Sequence, residues 1–182
     1  MVGLIISNSN SNLNRALTLD LLSGLWGYKF EKARVPGDIE KAISVGRQAL
    51  LTVPAGNEQD AGVFASHLNA WLVTKFDATS DTQDPDEVIE VGNTALGSFP
   101  LYSQDWWSTR YNLDSLLFSR HKILGEVADL ETAIRFERMA TSTQVRKHPR
   151  TASMFSLLGT LLAARFLLTG AVSDIEEAVQ VG

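Results

Sequence analysis

The stretch DIEKAISVGRQALLTVP, residues 38–54, returns 46 residues later as DPDEVIEVGNTALGSFP, with seven of its seventeen positions unchanged. It returns more faintly as DLETAIRFERMAT from Asp129 and begins again as DIEEAVQVG from Asp174, so the steps are 46, 45 and 45 residues. No other feature narrows the possible folds as far. A chain with this period is a row of similar supersecondary units, none of which can bury its apolar face alone. The 182 residues therefore read as one helical-repeat domain, 1–182, with units at about 12–57, 58–103, 104–148 and a truncated 149–182.

Each unit holds two helical patterns. In the first copy Ile39, Ala42, Ile43, Gly46, Ala49 and Leu50 recur at three- and four-residue steps, which is one face of an α-helix. Asp38 stands where an N-cap would accept free backbone N–H groups. Asp84 with Glu87, and Asp174 with Glu177, have the spacing of an acidic capping box. Pro54 and Pro100 close the first two copies, because proline cannot continue a helix. This is helix B. Upstream, LLGTLLAARF (157–166) carries the stripe Leu158, Leu161, Leu162 and Phe166. One repeat back the same places hold Leu113, Leu116, Leu117 and His121, then Leu68, Trp71, Leu72 and Phe76, then Leu22, Leu25, Trp26 and Phe30. This is helix A, joined to helix B by a short polar link. The prediction is an all-α stack of antiparallel helix hairpins.

Helix B resembles the second helix of a tetratricopeptide repeat, in which an Ala-Ile pair, a later Ala-Leu pair and a proline recur at fixed offsets. Here these are Ala42-Ile43, Ala49-Leu50 and Pro54, and again Ile89, Ala95-Leu96 and Pro100. Leu158-Gly159 is similar to the first-helix signature of that family. The period exceeds the usual ~34 residues, and HEAT and armadillo arrays also repeat every ~40–47. The offsets favour the tetratricopeptide side. The elongated form, with ARFLLTGAVSDIEEAV and RKHPRTAS, resembles the degenerate tetratricopeptide-like arrays of fungal proteins, which often precede a caspase-like CHAT protease domain.

The resemblance covers essentially the whole chain. It implies an α-solenoid of antiparallel hairpins in a right-handed superhelix, with no catalytic residue and no cofactor. Its concave groove would bind a protein or peptide through helix A positions. In the first two units these are Asp20, Gly24 and Gly27, then Ser66, Ala70 and Val73. The later units supply Tyr111, Ser115 and Phe118, then Ser156, Thr160 and Ala163. Asp20, Ser66, Tyr111, Ser115, Phe118 and Thr160 are the partner-binding candidates, and Tyr111 and Phe118 are the large groups on which an apolar side chain would dock. None of these positions is Lys or Arg, so a carboxylate clamp is not supported.

Charge and composition exclude more than they assign. A net charge of −5 argues against nucleic acid, which needs a cationic face. The absence of cysteine removes disulfides, thiol nucleophiles and thiolate metal sites, and fits a cytoplasmic location. No uncharged apolar run approaches the ~18 residues of a membrane span, and MVGLIIS lacks the basic start of a signal peptide. In DTQDPD (81–86) Gln83 and Pro85 interrupt the oxygen-ligand spacing of a calcium loop. RKHPR (146–150) reads as a solvated link, and His67, His121 and His148 as core or surface histidines. Both tryptophans of DWWSTRY (105–111) are read first as packing residues, with one a candidate anchor for a partner. No phosphate loop, GxSxG elbow, paired-carboxylate or HExxH motif gives a reason to propose an enzyme.

Two expectations concern registry and ends. A cation recurs near the end of helix A (Lys29, Lys75, Arg120, Arg165), and an acid two residues past each aspartate (Glu40, Asp86, Glu131, Glu176). The two series are expected to pair within a hairpin, Arg165 with Glu176 for example. Val181-Gly182 falls on the repeat position of Val45-Gly46, and VGLIIS reads as the tail of a lost helix B. The chain is thus expected to be a piece of a longer array, able to self-associate through open repeat ends. The function expected is a protein-interaction scaffold or, alternatively, the sensor arm of a larger CHAT-containing polypeptide.

Overall fold

The computed structural model describes residues 2–79, 85–101, 103–142 and 151–181. Among the described residues there are eight α-helices and no strand. They are α1 (Val2–Ala33), α2 (Pro36–Thr52), α3 (Glu58–Thr79), α4 (Pro85–Ser98), α5 (Gln104–Leu124), α6 (Val127–Ser142), α7 (Thr151–Thr169) and α8 (Val172–Val181). They fall into two compact units, Met1–Leu113 and Asp114–Gly182. In the first, α1 packs on α2, α2 on α3 and α3 on α4; in the second, α6 packs on α7 and α7 on α8. Asp84, the RKHPR segment and His148 lie outside the described residues.

The helix A stripes form the interior. Leu68, Leu72 and Phe76, then Leu113, Leu116 and Leu117, then Leu158, Leu161 and Leu162 are all buried. In α1 the stripe behaves differently, since Phe30 is buried while Leu22 and Leu25 stay exposed. Trp106 and Trp107 are both buried, edge to face at 4.9 Å, so both pack. α7 has one window, Ala152–Thr169, long and apolar enough by length and composition to cross a membrane.

The glycine of the repeated Val-Gly pair is a packing residue. A Cβ on Gly46 would come within 3.2 Å of Leu68 Cδ1, and one on Gly92 within 2.6 Å of Leu113 Cδ2. Each helix B glycine therefore makes room for a leucine of the next helix A. Two polar bonds fasten the helices of a hairpin at equivalent places, Ser23 Oγ to the Ala42 carbonyl (2.8 Å) and Asn69 Nδ2 to the Val88 carbonyl (2.7 Å). Both donors are fully buried, where an unmade bond would cost ~1–3 kcal/mol.

The turn between helices A and B is made the same way three times. Arg34, Gly125 and Gly170 take left-handed φ values of 54°, 72° and 71°. Each donates its N–H to the carbonyl four residues back, Phe30, His121 and Phe166, at 2.7–2.8 Å. This is the αL helix stop. Two residues later helix B begins, and its third residue is the repeated aspartate. The cation near the end of helix A reaches across this short turn to it. Lys29 Nζ lies 3.0 Å from Asp38, and Arg120 and Arg165 each fork onto Asp129 and Asp174.

Three expectations are corrected here. Asp38 is not a cap, because α2 starts at Pro36 with Val35 at its N-cap and no side-chain capping bond. Asp174 likewise sits inside α8, and Glu177 turns away to pair with Arg138 on α6. In three hairpins Lys29, Arg120 and Arg165 choose the aspartates rather than the acids two residues on, so Arg165 pairs with Asp174 and not with Glu176. The reason is reach: the third residue of helix B faces helix A across the turn, whereas two residues further the helix has rotated by about 200°. Glu40 pairs with Lys75 of α3 at 3.2 Å instead of with Lys29. Residues 2–7 are not the end of a separate helix either, since α1 runs unbroken from Val2 to Ala33.

Candidate functional site

Between α1 and α3, successive helix A elements of the first compact unit, lies an open pocket of about 540 Å3. Its lining is Asp20, Leu21, Gly24 and Leu25 from α1, with His67, Ala70 and Trp71 from α3. The spacing explains the set, because Asp20 with Gly24 and Leu21 with Leu25 each stand one turn apart, in two rows about 100° from each other. Leu21 and Leu25 are 70% and 66% exposed, an unusual state for two leucines one turn apart. Gly24 leaves open space where a side chain would otherwise project. A Cβ at Gly27, one turn on, would stand 2.5 Å from the Trp71 ring, so Gly27 lets that ring lie against α1. Trp71 Nε1 is buried and has no acceptor among the described residues.

The polar end of the pocket is an ion pair across the two helices. His67 Nδ1 lies 3.0 and 2.9 Å from the two oxygens of Asp20. The imidazole is 53% exposed and the carboxylate 12%, so the histidine is the outer partner. The Asp20 hydrogen bond lifts the His67 pKa above its ordinary value; burial opposes this, and the charges of Asp20 and Asp105 add to it. A raised histidine pKa stabilises the folded state fully below the unfolded value of about 6.5, and that contribution is lost as pH rises through the folded value. The melting temperature is therefore expected to fall between pH 6 and pH 8 by more in the wild type than in His67→Gln. Thermal melts followed by circular dichroism at the two pH values check this, and equal falls would remove the pair from the stability of α1 on α3.

The structure brings together three of the groove positions expected from the sequence, Asp20, Gly24 and Ala70. Gly27 and Val73 are instead buried. Ser66 shares a hydrogen bond with Thr109 (2.7 Å), which joins α3 to α5. Tyr111 is 68% exposed. Ser115 is half-buried, and Phe118 is half-buried beneath the Lys122 ammonium at 4.7 Å. Thr160 bonds back to the Ser156 carbonyl of its own helix at 2.9 Å. Asp20, Ser66 and Tyr111 thus belong to the first compact unit and Ser115, Phe118 and Thr160 to the second.

Leu25 and Trp71 were expected in the apolar stripe of helix A and not as pocket walls, and Leu21 and the role of His67 gave no local signal in the sequence. His67 lies one repeat and one residue beyond Asp20, and the pairing shows only when helices a repeat apart are laid side by side. A second ion-pair series escaped for the same reason. Arg47 of α2 forks onto Glu87 of α4, and Arg138 of α6 onto Glu177 of α8, each bond linking successive B helices. Arg138 and Arg165 hold Glu177 and Asp174 below the usual carboxylate range.

No group of three or more His, Cys, Asp and Glu among the described residues could hold a metal ion. A depression along α4 alone, lined by Asp86, Ile89, Glu90, Asn93 and Thr94, is too open for one helix to enclose a ligand. No family model matches the chain, and no curated protein and no solved structure matches it either.

Proposed function

We propose that the chain is a protein-interaction scaffold, a tetratricopeptide-like α-solenoid whose helix A face takes a partner protein or peptide. The observation that carries this reading is the pocket between α1 and α3, where exposed leucines and a tryptophan stand beside a carboxylate–imidazole pair. Binding sites for polypeptide side chains combine these ingredients, an apolar anchor pocket with a few placed polar groups. The supports for the array itself are the repeated turn, the repeated cation–aspartate pair and the Val-Gly glycines that admit the next leucine. In this reading the protein works in the cytoplasm, without a cofactor and without nucleic acid or membrane as partner.

The test uses peptides selected on the immobilised 182-residue chain. Leu21→Ala and Leu25→Ala are each expected to weaken a selected peptide about tenfold or more, the scale of an interface hot spot. Helicity should stay unchanged, because both leucines are exposed. Affinities that ignore both substitutions would place the partner elsewhere, and loss of helicity would mean that the two side chains serve packing.

A second reading makes the array the sensor arm of a larger CHAT-containing polypeptide. It is favoured by the apolar side chains that α7 and α8 leave exposed, among them Leu167, Val172 and Val179, which a further repeat would cover. Copies of the chain would self-associate through these same exposed side chains. Sequencing the transcript beyond the codon for Gly182 decides between an arm and a free-standing scaffold.

A further inference from the structure

We infer that the α1–α3 pocket receives an apolar side chain that stands next to a cationic group, and that His67 and this cation compete for Asp20. The inference deepens the partner-binding reading and rests on it only for the partner being a polypeptide.

The apolar half follows from the walls. Leu21, Leu25, Ala70 and Trp71 line an open pocket of about 540 Å3, within the ~300–1,000 Å3 of small-ligand pockets. Gly24 keeps the space open. The two leucines leave apolar area in water, and covering it recovers ~25 cal/mol per Å2. A polar occupant would forgo that gain and would leave its own groups short of partners.

The cationic half follows from the charges that face the imidazole. Asp20 of α1 is bonded to the imidazole, and the charge of Asp105 on α5 adds to the negative field that His67 feels. The local charge is negative with His67 protonated and more negative with it neutral. An anionic ligand meets repulsion in either state, and a cation meets attraction. Asp20 is the inner group of its pair and His67 the outer, half in solvent. An ammonium or guanidinium arriving beside the apolar anchor can thus take the carboxylate as the imidazole swings out. Protonated His67 holds Asp20 by a charge-assisted bond, which the incoming cation must replace. Neutral His67 gives it up more easily, so binding strengthens as pH rises.

Three six-carbon probes separate the contributions: hexylammonium, hexanol and hexanoate, titrated into the 182-residue chain. The signal is the indole N–H resonance of Trp71, identified by its loss in Trp71→Phe. Hexylammonium is expected to saturate at several-fold lower concentration than hexanol, with hexanoate weakest, and to bind more tightly at pH 8 than at pH 5.5. Asp20→Asn should bring hexylammonium to the level of hexanol, and Gly24→Leu, which fills the pocket, should abolish all three responses. Hexanoate binding as well as hexylammonium overturns the inference, and so does a Gly24→Leu chain that responds like the wild type. Panning a peptide library on the same chain tests the underlying reading separately. Probe binding with no peptide enriched would end the partner-binding reading and leave the pocket's chemistry standing. Enriched peptides that bind Gly24→Leu unchanged would end the inference alone.

Discussion

Arg165→Met is expected to lower the stability of the second unit by about 1–3 kcal/mol, the cost of removing the charged donor from a bidentate, charge-assisted pair. Asp174 is 1% exposed and Arg165 18%, and the guanidinium meets the carboxylate through two bonds, at 2.9 and 2.5 Å. Removing the arginine strips Asp174 of both bonds at the turn between α7 and α8. The double variant Arg165→Met/Asp174→Leu should recover most of the loss, because two apolar groups can replace a buried pair at little cost. Glu176→Ala, at the exposed position first expected to pair, should change stability by less than ~0.5 kcal/mol. The Arg165 bond is the main cause of the lowered Asp174 pKa. Its contribution is therefore complete above the unfolded value of about 3.9 and disappears as pH falls through the folded one. Urea unfolding at neutral pH measures all three variants. A small loss for Arg165→Met, or a double variant no better than the single, would show that the pair contributes little to holding the hairpin.

Gly62→Ala is the second large effect, expected at about 1–3 kcal/mol of destabilisation by overpacking. A Cβ at Gly62 would stand 2.3 Å from the Ser98 Cβ and 3.6 Å from its Cα. A β-carbon has no rotamer by which to step aside, so the end of α4 must move away from the start of α3. The remedy lies on the other helix. Ser98→Gly removes the opposing Cβ, and the pair Gly62→Ala/Ser98→Gly should restore much of the stability. Gly97→Ala, beside it on α4 with nothing within 4 Å, is the control. It should leave stability unchanged or raise it by less than ~0.5 kcal/mol, because Gly97 is the penultimate residue of α4, where alanine gains less over glycine than in a helix interior. If Gly62→Ala and Gly97→Ala shift the melting temperature alike, the close approach of α3 and α4 is wrong.

The sequence by itself determined the elements and their spacing. A period of 45–46 residues, with leucines at three- and four-residue steps, leaves an α-helix pair as the unit, because no other element presents that face. The cation near the end of helix A and the aspartate at the start of helix B were equally legible, since both recur with the repeat. Their pairing was not. One residue of difference in where α2 or α8 begins rotates every later side chain by about 100°, and turn geometry alone decides whether Asp174 or Glu176 faces Arg165. The left-handed residue at Arg34, Gly125 and Gly170 sets that start, and glycine announces it at only two of the three.

The candidate site lay further from the sequence. Asp20 and His67 are 47 residues apart, and nothing local to either foretells the other. Whether Leu25 is core, like its counterpart Leu116, or pocket wall depends on what the neighbouring helices cover, which is a property of packing. Helical periodicity states which residues share a face. Only the tertiary structure decides which faces find a neighbour, because burial is settled between segments that are distant along the chain.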